Sequence, residues 1–316
     1  VVDLSDLPGV TAWFDASDHS RIVLDNDRES VLSWQNGIDP DVYMSSDLLK
    51  PESGHQINGK NAILFGPNEF MITQRDGQDW NPFSGDGQIG GYMTSGSWYV
   101  VVKMFENKRT QELNFGVGWS VNFPSWSNGA TVGATVWDIW QDGEQNRISG
   151  KLTDGYETMI VSLHQSYADS KRNIFKNGSP IVSGESFRTE ITGPFSFPPS
   201  DNHAKTNPEC LVGEMVFVRG DQSVDDRKAI EGYLSHKWKM SDLLPESHPY
   251  AEQDLHIDQN GQITINRTFD YENDVSEFSI RARATDLSTG ASIARDISVS
   301  LLDLYEDWDG DGVQDH

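Results

Sequence analysis

Trp98-Tyr99-Val100-Val101-Val102-Lys103-Met104-Phe105 decides how the rest of this 316-residue chain is read. Aromatic and β-branched side chains dominate it, a composition that suits a pleated surface. Working outward, similar short runs recur at residues 62–65, 133–139, 159–163 and 211–219, separated by clusters of Gly, Asn, Asp and Pro. Short strands punctuated in this way predict an antiparallel β-sandwich, an all-β fold. Asn-Gly pairs at Asn36-Gly37, Asn58-Gly59, Asn128-Gly129, Asn177-Gly178 and Asn260-Gly261 mark tight turns, because both residues tolerate positive φ.

A single helix is expected over residues 224–240. Ser223 is its natural N-cap, with Asp226 placed to bond back as in a capping box. Ile230, Tyr233, Leu234, Lys237 and Trp238 fall at helical spacing on one face, and Leu243, Leu244 and Pro245 close the segment. The expected role of this helix is to seal the end of the sandwich.

Charge excludes several functions. With 49 Asp and Glu against 24 Lys and Arg, the formal net charge is −25. Nucleic-acid binding needs clustered Lys and Arg to replace counterions, so it is not expected. An anionic membrane surface would repel the chain. Apolar runs such as Val100-Val101-Val102 are too short to insert into a bilayer. One cysteine, Cys210, permits neither an intrachain disulfide nor a thiolate zinc cluster, and a buried, inert thiol is expected. What the acidic excess favours is a hard cation, chiefly calcium, or a salty medium. The chain starts at Val1 without a basic, apolar leader and stops inside an acidic motif. The expectation is an excised, secreted piece of a longer bacterial protein, with neighbouring modules on the same chain.

Acid density rises after Pro249: residues 250–316 hold 15 acidic and 4 basic residues. Strands are expected there at residues 262–265, 277–284 and 293–302, with Phe278, Ile280 and Ala282 alternating with Ser279, Arg281 and Arg283. Two domains follow.

Several motifs resemble those of bacterial laminin-G/concanavalin-A-like lectin domains. They are Trp13-Phe14-Asp15-Ala16-Ser17-Asp18, Asn58-Gly59-Lys60-Asn61-Ala62-Ile63-Leu64-Phe65-Gly66, Asn173-Ile174-Phe175-Lys176-Asn177-Gly178, Gly213-Glu214-Met215-Val216-Phe217 and Ile230-Glu231-Gly232-Tyr233-Leu234-Ser235-His236-Lys237-Trp238. The resemblance covers about residues 8–249, within an expected first domain of residues 1–249. It implies a jelly-roll that binds glycans, often with calcium; some members are glycosidases. Trp13, Trp34, Trp98 and Trp238 are expected in its core.

Residues 250–306 resemble part of a bacterial cadherin-like repeat, through Asn260-Gly261-Gln262-Ile263, Phe269-Asp270-Tyr271-Glu272, Arg283-Ala284-Thr285-Asp286 and Asp303-Leu304-Tyr305-Glu306. That resemblance implies calcium ligation by Asp270, Glu272, Asp286 and Asp303. Residues 307–316 resemble the start of a thrombospondin type 3 or EF-hand-like loop. Asp307, Asp309 and Asp311 stand at loop positions 1, 3 and 5, Gly312 at the turn position and Asp315 at position 9.

Trp119, Trp126, Trp137 and Trp140 lie among Gly, Ser and Asn. Flat rings stack on the apolar faces of sugars, which makes Trp119, Trp126 and Trp140 a candidate carbohydrate platform, with core packing the alternative. Glu272-Asn273-Asp274-Val275-Ser276-Glu277 fits a glycosidase pattern by spacing alone but lies outside the jelly-roll, so the match is read as coincidence. His164 and His236 are expected to be structural. The leading expectation is a non-catalytic, extracellular, calcium-dependent adhesion or carbohydrate-binding segment whose partner is a glycan or cell-surface ligand. An accessory or catalytic region of a polysaccharide-degrading enzyme and a structural spacer are the alternatives.

Overall fold

A strand with one wet face alternates apolar and polar residues, but Gly96–Met104, Glu157–Ser166 and Cys210–Arg219 are buried along nearly their whole length. A sheet built from them needs cover on both sides. The computed structural model describes residues 4–46, 49–66, 69–83, 95–105, 134–137, 148–151, 157–166, 168–169, 171–185, 195–197, 209–251, 255–257, 263–265, 277–285 and 292–300. By compactness the chain divides into two units, Val1–Ala251 and Glu252–His316.

The first unit contains β1 (Val10–Asp15), β2 (Ile22–Leu24), β3 (Val31–Gln35), β4 (Val42–Ser45), β5 (Glu52–Ile57), β6 (Lys60–Phe65), β7 (Met71–Arg75) and β8 (Gln78–Asp79). There follow β9 (Gly96–Met104), β10 (Ala134–Trp137), β11 (Ile148–Lys151), β12 (Glu157–Ser166), β13 (Lys171–Lys176), β14 (Ser179–Glu185), β15 (Ser196–Phe197), β16 (Cys210–Arg219) and the helix α1 (Val224–Lys237). The large sheet runs β14-β13-β12-β9-β16-β6-β5, with β1 also on β16; the small sheet runs β15-β7-β4-β3-β2, with β8 on β7. All their pairings are antiparallel, and β10 and β11 form a separate hairpin. The fold is an all-β sandwich with one helix.

Between the sheets lies one core, in which Phe14, Trp34, Met44, Phe65, Trp98, Val100, Val102, Val161, Phe197 and Phe217 are buried together. On the other side of the large sheet Tyr99, Val101, Ile160, Val216 and Val218 form a second core with Ile230, Leu234 and Trp238 of α1. The expectation that α1 seals an end of the sandwich is therefore corrected: it lies on a sheet face. The reason is the double-sided apolar character of β9, β12 and β16, which leaves a face too large and too apolar for water. The helical spacing of Ile230, Leu234 and Trp238 is what matches that face. The helix ends at Lys237, earlier than expected, because Lys239 adopts a left-handed φ of 54°. At the other end Ser223 Oγ accepts from the Asp226 amide at 3.0 Å and donates to the Asp226 carboxylate at 2.6 Å. Asp226 thus answers the cap through the hydroxyl, a variant of the expected capping box.

Two expected turns close hairpins. Asn58-Gly59 joins β5 to β6 and Asn177-Gly178 joins β13 to β14, every one of these residues having positive φ. Asn36-Gly37 opens the longer connection from β3 to β4, without positive φ. Asn36 Oδ1 accepts from the Trp13 and Ile38 amides, and a Cβ on Gly37 would stand 2.5 Å from the Trp13 ring. Asn128-Gly129 and Asn260-Gly261 lie outside the described residues.

A β-bulge at Gly213 organises β16. Residues 210–212 pair with β6, residues 214–218 pair with β1, and the register against β9 shifts between Val212 and Glu214. The extra residue reverses side-chain parity. Cys210, Val212, Met215 and Phe217 all face the inter-sheet core, while Glu214 joins Leu211, Val216 and Val218 beneath α1. Cys210 is buried as expected, which pushes its thiol up to about 12 and makes it inert.

In the second unit β17 (Leu255–Ile257) pairs with β18 (Ile263–Ile265), and β19 (Glu277–Thr285) pairs with β20 (Ser292–Ser300). Phe278 lies opposite Val299 and Ile280 opposite Ile297.

A Cβ at position 213 would stand 2.6–2.9 Å from three atoms of the Trp238 ring. Gly213→Ala is therefore expected to lower stability by about 1–3 kcal/mol through overpacking. Urea unfolding checks this, and an unchanged midpoint would show that α1 does not press on the bulge.

Candidate functional site

Alternation in the small sheet sorts its side chains. Trp34, Val42, Met44, Met71 and Thr73 are buried toward the core, so Ser33, Gln35, Tyr43, Ser45, Ile72 and Gln74 project from the opposite face, all half-buried. The register stacks them in two rows. Ser33 lies opposite Ser45 and Ser45 opposite Ile72; Gln35 lies opposite Tyr43 and Tyr43 opposite Gln74. Gln35 Nε2 donates to Ser33 Oγ at 2.9 Å, and Ser45 Oγ donates to Gln74 Oε1 at 2.9 Å. The result is a neutral patch: an aromatic ring flanked by two carboxamides, with two hydroxyls in the next row. Each carboxamide both donates and accepts, which suits it to neighbouring hydroxyls of a polyol. At the rim Arg75 is paired with Asp39 at 3.1 Å. Among the described residues, α1 covers the outer face of the large sheet at β9, β12 and β16.

Between α1 and the large sheet lie two buried carboxylates, Glu214 from β16 and Glu231 from α1 itself. Glu214 is fully buried. Its Oε1 accepts from Trp13 Nε1 at 2.5 Å and from the Tyr233 hydroxyl at 3.0 Å, and its Oε2 accepts from Trp238 Nε1 at 2.6 Å. Lys237 Nζ lies 2.8 Å from Glu214 Oε2 and 2.6 Å from Asp15 Oδ2. Burial raises the Glu214 carboxyl above the ordinary range, with Lys237 opposing it. Trp13, expected in the core, is instead half-buried, with Tyr233 at its edge and the Arg21 and Lys237 cations against its ring. Its polar N–H needs a partner, and Glu214 supplies one.

The second carboxylate, Glu231, accepts from Arg227 at 2.6 Å and from Ser162 at 3.1 Å and stands 3.3 Å from His248 Nε2. Close by, the buried His164 shares a 2.7 Å hydrogen bond with Ser97 and packs edge-on against Tyr99 and Phe175. Burial, with Arg227 adding to it, holds the His164 imidazole down to about 3. His164 is therefore a neutral structural side chain within β12, and His236 bonds Ser241 at 3.0 Å beyond the helix end.

None of the residues singled out in the sequence for metal or sugar binding falls in the described part. Asp270, Glu272, Asp286, Asp303, Asp307, Asp309, Asp311, Asp315, Trp119, Trp126 and Trp140 all lie outside it. Among the described residues no group of three or more His, Cys, Asp and Glu is arranged to hold a metal, and no helix is long and apolar enough to cross a membrane. The Tyr43 face was missed in the sequence. Its signal is the alternation Val42-Tyr43-Met44-Ser45 and Met71-Ile72-Thr73-Gln74, but which strands stand side by side is not written there.

No family model matches the chain, and no curated protein does. Solved structures of similar shape include a botulinum neurotoxin serotype D binding domain, with 9% identity over 72% of this chain and 51% of that one and a TM-score of 0.47. Another is the binding domain of Paraclostridial Mosquitocidal Protein 1, with 12% identity over 73% and 53% and a TM-score of 0.49. A third is Trypanosoma rangeli sialidase in complex with sialic acid, with 13% identity over 72% and 33% and a TM-score of 0.42. The chain spans about half the length of the toxin domains and a third of the sialidase.

His164 links stability to pH. The unfolded imidazole takes up a proton near pH 6.5 and the folded one only near 3, so its contribution is complete above pH 6.5 and is lost as pH falls toward 3. His164→Leu is expected to remove a slope approaching about 1.4 kcal/mol per pH unit below pH 6.5. Urea unfolding of both proteins from pH 6.5 to 5 measures it; parallel slopes would show that His164 does not titrate between these states.

Proposed function

We propose that residues 1–251 form a carbohydrate-binding module of an extracellular bacterial protein, with the glycan laid across the outer face of the small sheet around Tyr43. The observation that carries this reading is the composition of that face. An aromatic ring there stands between Gln35 and Gln74, beside Ser33 and Ser45, and all of these groups are uncharged. A phenol ring covers the C–H face of a pyranose, while the amides and hydroxyls satisfy its hydroxyl groups. Glu214 and Glu231 are fully buried between α1 and the large sheet and already hold several donors each, so the reading assigns them to structure and the module to binding.

Calcium belongs to the same proposal through the acidic C-terminal region, where Asp307, Asp309, Asp311 and Asp315 have loop spacing and Asp270, Glu272, Asp286 and Asp303 follow the cadherin-like pattern. Calcium there would stiffen the second unit, and the whole would act in adhesion to a glycan-bearing surface.

A glycan array, followed by calorimetry on the best ligand, tests the binding site. Tyr43→Ala is expected to weaken binding about tenfold, on the order of 1.4 kcal/mol, with the fold intact. Equal affinity in the variant would move the site elsewhere, and an array without positive glycans would end the carbohydrate reading. Melting curves in EDTA and in added calcium test the metal. An upward shift with calcium is expected, and coincident curves would remove calcium from the proposal.

A further inference from the structure

Lys237, Asp15 and Glu214 form a constellation that glycan binding does not use. One ammonium faces two carboxylates from different elements: Nζ stands 2.6 Å from Asp15 Oδ2 on β1 and 2.8 Å from Glu214 Oε2 on β16. The Lys237 side chain is 17% exposed, Asp15 8% and Glu214 0%. Trp13, Tyr233 and Trp238 donate to the Glu214 carboxylate and enclose it. Asp15 is held asymmetrically. Its Oδ1 accepts from the Ser17 amide at 2.9 Å and from the Ser17 hydroxyl at 2.7 Å, while Oδ2 faces the lysine nitrogen.

We propose that Lys237 and Asp15 condense into an intramolecular isopeptide bond, with Glu214 relaying the protons. The lysine first passes a proton to the carboxylates, and its freed lone pair adds to Asp15 Cγ. Negative charge then gathers on Oδ1, where the two Ser17 donors already point, an arrangement that stabilises a tetrahedral intermediate. Oδ2, the oxygen beside the nitrogen, leaves as water. One C–N bond forms and one C–O bond breaks. An ammonium and a carboxylate become a neutral amide and one water, with no oxidant, reductant or cofactor involved.

Three features favour the step. Nucleophile and acceptor are held within contact distance, which removes most of the entropy of bringing them together. Burial lifts the Glu214 carboxyl, so it holds and returns a proton more readily than an exposed glutamate does. The aromatic shell keeps water from the site and so disfavours hydrolysis of the amide, while the partial exposure of Lys237 leaves the product water a way out. The bond would tie the first strand to the last helix turn, closing most of the first unit into a covalent loop. That is the role a disulfide would serve in a chain with more than its single cysteine.

Intact mass of the denatured full chain is the test. The wild-type protein is expected to be lighter than its sequence by one water. Its tryptic digest should contain a branched species joining the peptide that ends at Arg21 to residues 229–239, uncleaved after Lys237. Asp15→Ala and Glu214→Gln should each return the full sequence mass. A wild-type chain of full mass, cleaved by trypsin after Lys237, would reduce the cluster to an ion pair and overturn the proposal. A branch mapped to any other pair would overturn it too. The wild-type measurement decides by itself, so a variant that fails to fold does not weaken the test.

Discussion

A carboxylate without access to water holds the two layers of the large sheet's outer side together. Glu214 receives hydrogen bonds from Trp13 on β1 and from Tyr233 and Trp238 on or beside α1, and it lies against the Lys237 ammonium. Burying such a group without these partners costs several kcal/mol, so each partner must be in place once the acid is inside. That requirement fixes the rotation of α1 about its axis and the position of β1 against β16 together. Hydrophobic contact alone would let the helix slide along the sheet, whereas this set of donors admits one arrangement.

The bulge at Gly213 makes the arrangement possible. Without the extra residue the parity of β16 would put Glu214 and the apolar residues after it on the wrong faces. The glycine is also needed for space, because Trp238 lies against it where a Cβ would be. The same residue marks the change of neighbour along one edge of β16, from β6 to β1. One backbone irregularity thus places an acid, receives an indole ring and divides a strand edge. With α1 packed on the large sheet, Ser33, Gln35, Tyr43, Ser45 and Gln74 share the outer face of the small sheet.

Much of the sandwich was legible. The β-branched and aromatic runs around Val100, Ile160 and Val216 announced strands, and Asn58-Gly59 and Asn177-Gly178 announced hairpins, because these signals are local. The helix was legible for the same reason. Its docking was misjudged, since apolar residues on both faces of β9, β12 and β16 look like a sandwich core until one asks what covers the second face. Asn36-Gly37 opens the connection from β3 to β4, and the pair also lets the backbone pass close to the Trp13 ring. Of the candidate site, the sequence showed the Tyr43 and Gln74 strands only as alternations and did not connect them.

What the sequence determined by itself was whatever depends on neighbours a few residues away. Strand and helix type, the Ser223 cap, tight glycine turns, an inert buried cysteine and an excess of acid toward the C-terminus all belong to that class. The tertiary structure alone decided which charges meet and which side chains share a face. Asp15, Glu214 and Lys237 come from the two ends of the first unit, and Gln35, Tyr43 and Gln74 from three strands. Electrostatic and hydrogen-bonding energies act over a few ångströms of space. Separation along the chain therefore says little about them until sheet order and register have brought the groups together.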